Sequence, residues 1–237
     1  MQPPFLSAEW RNLLMINFQA DPAVLQRYVP YRTELDTWND THYVSLVGFM
    51  FKNTKVRGLS IPFHRHFEEV NLRFYVRYKS GAEWKRGVVF IKELVPKHAI
   101  TFVANTIYKE KYATHPMRHR WSPSEKELEV SYEWKVGAHW NHLTARVEKE
   151  PLAITAGSEA AFITDHYWGY TYMGADKTGE YQVTHPQWRT HSMIDYSYQV
   201  DTAALYGEAF VPMLSQQPVS ALLAEGSEIT VLPKRIL

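Results

Sequence analysis

The sequence predicts an α+β fold: a large, mostly antiparallel β-sheet rolled into a barrel or cone, with three to four short helices. Three observations predict it. Aromatic residues make up 14% of the 237 residues, with 15 Tyr, 11 Phe and 8 Trp, and flat rings pack well on a pleated surface. Apolar and polar residues alternate strictly over 67–79, the period-two pattern of a strand with two unlike faces. Strand-like runs follow one another through tight turns without a βαβα rhythm, which disfavours a doubly wound sheet and favours hairpins and meanders.

The elements read as follows. Trp10 to Phe18 is a first strand. Asp21-Pro22 opens a short helix ending near Tyr28, because Asp caps well and Pro at the first helical position loses no hydrogen bond. Leu35 to Trp38 is a short strand, Asn39-Asp40 a turn, and Tyr43 to Phe51 an apolar strand covered on both faces. A polar connection, Asn53 to Pro62, leads to the regular strand Phe67 to Lys79, and Gly87 to Leu94 pairs back on it after Ser80-Gly81. Pro96 starts a helix with Ile100, Val103, Ala104 and Ile107 on one apolar face. Three strands are expected between Leu128 and Lys149. Gly157-Ser158 then caps a helix carrying Ala161, Phe162, Asp165 and His166. Tyr181 to Met193 and Tyr196 to Val200 are strands, Asp201 caps a helix over 203–208, and 228–232 is a last strand. No repeat or linker interrupts 1–237, which reads as a single domain.

Composition excludes several function classes. Hydrophobic residues at 45% and charged residues at 22% suit a sizeable core. The net charge of +1, from 26 Lys and Arg against 25 Asp and Glu, lacks the basic excess of a nucleic-acid binder. Lys85-Arg86 and Arg118-His119-Arg120 read as solvated surface. With no cysteine, disulfides, thiolate metal sites and a cysteine nucleophile are excluded. Met1 to Phe5 carry no signal-peptide pattern, and no stretch approaches the ~20 apolar residues of a membrane helix. No membrane partner and a cytoplasmic location are therefore expected. Gly-rich phosphate loops, G-x-S-x-G and H-E-x-x-H are all missing. The pairs His64/His66 and His139/His142 have no carboxylate at ligand spacing. No metal and no cofactor are expected.

The polar face of the 67–79 strand holds the candidate site. Alternation puts Glu69, Asn71, Arg73 and Tyr75 on one side. On an open sheet they would dress a solvated face. In a closed cone they would meet the lumen. There Arg73, always charged and forked, could bind an anionic or carbonyl ligand. Asn71 could orient that ligand, and Glu69 could hold Arg73 or act as a base. A structural network locking the barrel accounts for the same residues equally well. The sequence does not fix which face looks inward.

Several segments together carry a family resemblance. They are Trp10-Arg11-Asn12-Leu13 with Asp21-Pro22; Phe67 to Val76; Gly87-Val88-Val89-Phe90; Tyr108 to Tyr112 with Pro116-Met117; Phe162 to Tyr170; and His185-Pro186-Gln187-Trp188. In this order they resemble the YqjF-like family of uncharacterised bacterial proteins, from about Trp10 to about Val211. That family is similar in fold to acetoacetate decarboxylase, a β-cone around a small, largely apolar pocket.

The resemblance implies the architecture but does not carry the activity. The decarboxylase uses a lysine that forms a Schiff base, next to a second lysine. At those two positions this chain has Tyr112 and Ala113. Lys109 and Lys111 remain as a residual Schiff-base possibility, on one side of a strand with Glu110 opposite; a solvated edge is the plainer reading. The phenol of Tyr112 could donate to a carbonyl. His185 is a weaker ligand-binding candidate, held extended before Pro186; Tyr167 is another. His166 is explained by its place near a helix end, and Trp188 by core filling.

Three functions stay open. One is a protein binding a small organic acid or carbonyl compound in the cone lumen. Another is an enzyme on a carbonyl or acyl substrate without the lysine pair. The third is a structural or interaction protein with a filled barrel. The many aromatics leave room for a homo-oligomer interface.

Overall fold

The computed structural model describes residues 3–237. In chain order the first half holds β1 (Leu6–Gln19), α1 (Pro22–Leu25), β2 (Thr33–Leu35), β3 (Tyr43–Val56), β4 (Phe67–Ser80), β5 (Glu83–Val95), α2 (His98–Val103), β6 (Tyr112–Thr114) and β7 (Met117–Pro123). The second half holds β8 (Glu127–Val136), β9 (His139–Ala153), α3 (Glu159–Thr164), β10 (Trp168–Gly174), β11 (Lys177–Thr184), β12 (Arg189–Gln199), α4 (Thr202–Tyr206), α5 (Val211–Leu214), β13 (Ser220–Val231) and β14 (Arg235–Ile236).

All the strands belong to one sheet, and part of that sheet closes on itself. Strands β11, β10, β5, β4, β3, β1 and β13 are neighbours in that order. A short pairing of β11 with β13, Val183 opposite Val231 and Thr184 opposite Thr230, completes the ring. Its neighbours are antiparallel except β5 and β10, which run parallel. From β13 the sheet continues outward through β12, β9, β8 and β7 as a wing folded against the ring.

This layout gives β4 two different apolar surroundings. Val70, Leu72, Phe74 and Val76 point outward and are buried against Val130, Trp134, Leu143 and other residues of the same core. Burying each such side chain contributes roughly 2 kcal/mol. The inward side shares the lumen with Leu13, Met15, Phe49, Phe51 and Phe67. The polar side of β4 therefore faces in, where a charge is worth more than at the surface.

Several expectations from sequence hold, and several need correction. Asp21 caps α1 by accepting from the Ala23 N–H at 2.8 Å, and Ser158 caps α3 through the Ala161 N–H at 3.2 Å. The stretch 181–193 is not one strand; it is broken at 185–188, where Pro186 cannot donate to a ladder. Two long strands, β8 and β9, stand where three were expected, joined at Gly137, whose φ of 57° makes the tight turn. Strand β3 runs on to Val56, through what read as a connection. Five short α-helices are present among the described residues. The helix after Pro96 has six residues, then widens its ladder into a π turn over 104–108. No residue of α2 is fully buried; Ile100 packs against the inner core, while Phe102 and Val103 are exposed.

Candidate functional site

The ring encloses a cavity of about 230 Å³. Its walls are mainly apolar, with Trp10, Phe49, Phe51, Phe67 and Val88 among them. The polar groups that enter it are Glu69, Asn71 and Arg73 from β4, Glu93 from β5, and Glu110 and Tyr112 from the segment leading into β6. The mouth is bordered by two stretches: Ile61 and His64 after β3, and Ala99, Ile100, Val103 and Ala104 of α2 and the turn after it.

Arg73 stands at one end of the polar row. It is partly exposed, and its Nη2 donates to the Ile163 carbonyl at 3.3 Å, where α3 ends. No carboxylate lies within ion-pair distance of Arg73 among the described residues, and its buried Nε has no partner. Glu69 sits four residues back, about 13 Å along the strand at a rise of ~3.3 Å per residue. It therefore does not hold Arg73. Glu69 accepts instead from the Asn71 amide at 3.1 Å and from the Tyr112 hydroxyl at 2.9 Å.

At the Glu69 end three carboxyl groups share one buried region. Burial, reinforced by Glu110, pushes the Glu69 carboxyl up to about 7, against the lowering effect of its Asn71 and Tyr112 hydrogen bonds. Burial and the neighbouring Glu110 and Glu69 raise Glu93 well above the usual range, and Glu93 Oε2 has no hydrogen-bond partner. Burial also raises Glu110, opposed by the Lys234 ammonium. Lys234 Nζ lies 3.6 Å from Glu110 Oε1, and Thr171 donates to the same oxygen at 2.5 Å. Like charges this close cannot all ionise. Glu110 lies beside the Lys234 ammonium, which favours its charged form, whereas burial and its carboxyl neighbours push Glu93 towards the neutral acid. Burial holds the Tyr112 phenol protonated as well.

A second network flanks the Arg73 end. Asp36 Oδ2 accepts from Arg86 Nε at 2.6 Å and lies 3.2 Å from His166 Nε2. Burial alone would raise the Asp36 carboxyl, but those two partners outweigh it and bring it to about 2. Burial pushes His166 down, so its ring is neutral and Arg86 is the cation that matches Asp36. His166 borders the cavity, and its Nδ1 has no partner.

The expected site residues are thus divided by the fold. Glu69, Asn71, Arg73 and Tyr112 come together around the cavity. Tyr75 does not border it: its hydroxyl meets Ser45 Oγ at 2.6 Å, and Ser45 donates to Asn17, a buried polar lock between β4, β3 and β1. His185 is also elsewhere, stacked on Trp188 at 4.1 Å with its Nδ1 against the Pro186 carbonyl. Tyr167 packs on that same stack.

No lysine borders the cavity among the described residues. Lys109 is exposed in a left-handed conformation, φ 54°, and Lys111 lies over the Tyr28 ring. Glu110, between them, turns inward and is buried. The described residues contain no group of three or more His, Asp or Glu placed to hold a metal ion, and none of their helices is long and apolar enough to cross a membrane.

Sequence reading missed Glu93, Glu110, Lys234, Asp36 and the place of His166 in the wall. For Glu93 the cause is a bulge. Leu72 faces Lys92, whereas Arg73 faces Phe90. The extra residue, Ile91, reverses the parity, so Phe90 and Glu93 both look inward. Simple alternation from Val88 and Phe90 would have placed Lys92 there.

Comparison with known proteins agrees with this architecture. The model of the DUF2071 family, described as an uncharacterised conserved protein, matches residues 7–228. The uncharacterised protein YqjF of Bacillus subtilis (strain 168) is 39% identical over 82 residues, or 34% of this chain and 32% of that one. That match spans about a third of the relative's length. Acetoacetate decarboxylase from Legionella pneumophila superposes with a TM-score of 0.66 at 14% identity, covering 99% of this chain and 87% of that one. The enduracididine biosynthesis enzyme MppR superposes with a TM-score of 0.70 with HEPES bound, at 12% identity over 100% of this chain and 89% of that one. Its complex with pyruvate gives 0.69 at 11% identity, over 100% and 91%. At such identities the likeness is one of fold, and the fold is that of acetoacetate decarboxylase, as the resemblance implied.

Proposed function

The chain belongs to the DUF2071 family of uncharacterised conserved proteins, and from that premise we propose that its cavity binds a small organic acid or carbonyl compound. One observation carries the reading: Arg73 enters a mainly apolar cavity with no carboxylate within ion-pair distance among the described residues. A partly buried cation held this way is short of an anion, and a guanidinium fork takes a carboxylate in two parallel hydrogen bonds. The neutral acids at the other end suit the second requirement. Glu93, pushed towards its neutral acid and with its Oε2 unpartnered, is a donor, so this end favours a carbonyl or hydroxyl over a second negative charge. The volume, about 230 Å³, exceeds the ~150 Å³ cavity that holds benzene and suits a ligand of about ten non-hydrogen atoms. A neighbour of the same fold, MppR, is known in complex with pyruvate. The open cavity disfavours a barrel filled by its own side chains.

Calorimetric titration with pyruvate, and with acetone as its neutral ketone counterpart, tests the reading. Pyruvate is expected to bind in the micromolar-to-millimolar range and acetone at least roughly tenfold more weakly, the difference being one charge-assisted contact. Equal or undetectable binding of both would remove it.

A second reading, an enzyme on a carbonyl substrate, is favoured by Glu69, which titrates at about 7 beside Tyr112. A carboxyl poised there can take and return a proton at neutral pH. Its signature is loss of the methyl proton signal of pyruvate in heavy water, followed by NMR. Exchange at the uncatalysed rate, with binding intact, leaves only the binding protein.

A further inference from the structure

The cavity mouth has an unusual rim. Leu59 is 72% exposed, Phe63 89%, Phe102 70% and Ile107 54%. Ile61 and Val103, also exposed, belong to the same two segments and border the cavity itself. Thus two stretches that lie some forty residues apart in sequence meet around one opening, and both carry large apolar side chains into water. Exposed apolar residues scattered singly are ordinary, but a group of them around an opening marks a surface that meets something apolar. Phe63 adds a conformational sign: its φ of 63° is left-handed, a costly setting for a bulky residue.

The same two segments are basic throughout. Residues 52–66 contain Lys52, Lys55, Arg57 and Arg65, residues 96–109 contain Lys97 and Lys109, and neither stretch contains an Asp or Glu. Lys55, Arg57, Arg65 and Lys109 are exposed. A chain with net charge +1 therefore gathers exposed positive charge around this opening. Lys52 and Lys97 lie near Glu9 and Glu68, but Lys55, Arg57, Arg65 and Lys109 form no ion pair among the described residues. That pattern argues against a second copy docking on the same face, because each copy would bring cations against cations. Protruding aromatic and aliphatic side chains with lysine and arginine beside them match the requirements of an anionic lipid surface.

We propose that the rim of the cavity mouth, formed by 55–65 and 97–109, docks on an anionic lipid bilayer surface, with Phe63 and Phe102 inserted among the headgroups. Docked so, the opening faces the bilayer. No membrane span is involved, so the lack of a long apolar stretch, from which no membrane partner was expected, does not bear on this mode. The rim is not legible in the sequence because its two segments, the β3–β4 connection and the stretch after β5, are brought together by the pairing of β3, β4 and β5 rather than by adjacency in the chain. The proposal does not depend on what the cavity holds.

Co-sedimentation with phosphatidylcholine vesicles, with and without phosphatidylglycerol, tests it. Full-length protein is expected to bind the phosphatidylglycerol vesicles at low salt and to be released at high salt, where exposed charges are screened. The double variant Phe63→Ser/Phe102→Ser is expected to lower the partition coefficient by roughly tenfold or more. The charge reversal Lys55→Glu/Arg57→Glu is expected to abolish the preference for the anionic lipid. Because all four side chains are exposed and none is placed in the cavity wall, melting temperature and pyruvate binding are expected to stay as in the parent. Failure of the parent protein to bind anionic vesicles overturns the proposal. So does a dimer by light scattering that the Phe variant turns into monomer while vesicle binding is unchanged, since the rim would then be a contact between copies.

Discussion

Arg73→Met is expected to weaken binding of pyruvate by roughly a hundredfold, the usual cost of about 3 kcal/mol for removing a charged partner from a carboxylate in a sheltered site. Methionine keeps the apolar stem of the side chain and adds no charge, and it is flexible enough to fill part of the space the guanidinium leaves. The same substitution is expected to leave stability unchanged or raise it, because Arg73 is a partly buried cation with no carboxylate within ion-pair distance among the described residues and an unpaired Nε. A charge that helped to lock the barrel would behave in the opposite way, since removing it would strand its partners. Isothermal calorimetry and a melting curve on the same preparation separate the two roles. Undiminished affinity with a large fall in melting temperature would assign Arg73 to structure.

The carboxyl cluster makes a second large effect, and its sign is unusual. Unfolded glutamates release their proton near 4.5, whereas the folded Glu69 holds its own up to about 7 and burial beside Glu110 and Glu69 raises Glu93 well above its ordinary value. Between these limits the folded state binds more protons than the unfolded one. Stability from this cluster is therefore greatest below about pH 4.5 and falls as the pH rises, by up to about 1.4 kcal/mol per pH unit for each proton involved.

Asp36 works the other way. Its folded value of about 2 lies below its unfolded 3.8, so its contribution is complete above about pH 4 and lost as the pH falls towards 2. Glu93→Gln removes one proton from the first linkage and leaves a neutral amide in place of a neutral acid. As the pH rises from 5 towards 7 the variant is expected to lose less stability than the parent, because it has one proton fewer to release. Its melting temperature should therefore fall less than the parent's over that range, by a few degrees. Parallel pH profiles of melting temperature for the two proteins would show that Glu93 is already ionised in the fold.

Much of this was legible in the residues, for identifiable reasons. Alternation over 67–79 is strict because β4 is covered by apolar material on its outer side and lines a chamber on its inner side. The pattern gave the four residues of one face but not the direction of that face, which depends on how β11 meets β13. Tyr75 shares the face of Arg73 and yet serves a different end, because Ser45 and Asn17 on neighbouring strands claim its hydroxyl. Glu93 was hidden by a single bulge residue. Lys234 and Glu110 were hidden by distance in sequence, since only the closed ring brings them within 3.6 Å. The apolar spacing after Pro96 predicts a helix with one apolar face, but that face is split: Ile100 packs against the inner core, whereas Val103 and Ile107 are exposed, and periodicity alone cannot tell a core from a rim.

The way the ring closes also shapes how the protein is made. Leu6 of β1 pairs with Val231 of β13, so the chain must be synthesised across more than 220 residues before the first strand gains that neighbour. At a ribosomal pace of about 5–20 residues per second, one edge of β1 stays bare for on the order of ten seconds or longer. A nascent chain of this kind displays a long apolar strand with open hydrogen-bonding groups, which is the form most open to capture by chaperones and to pairing with other unfinished copies.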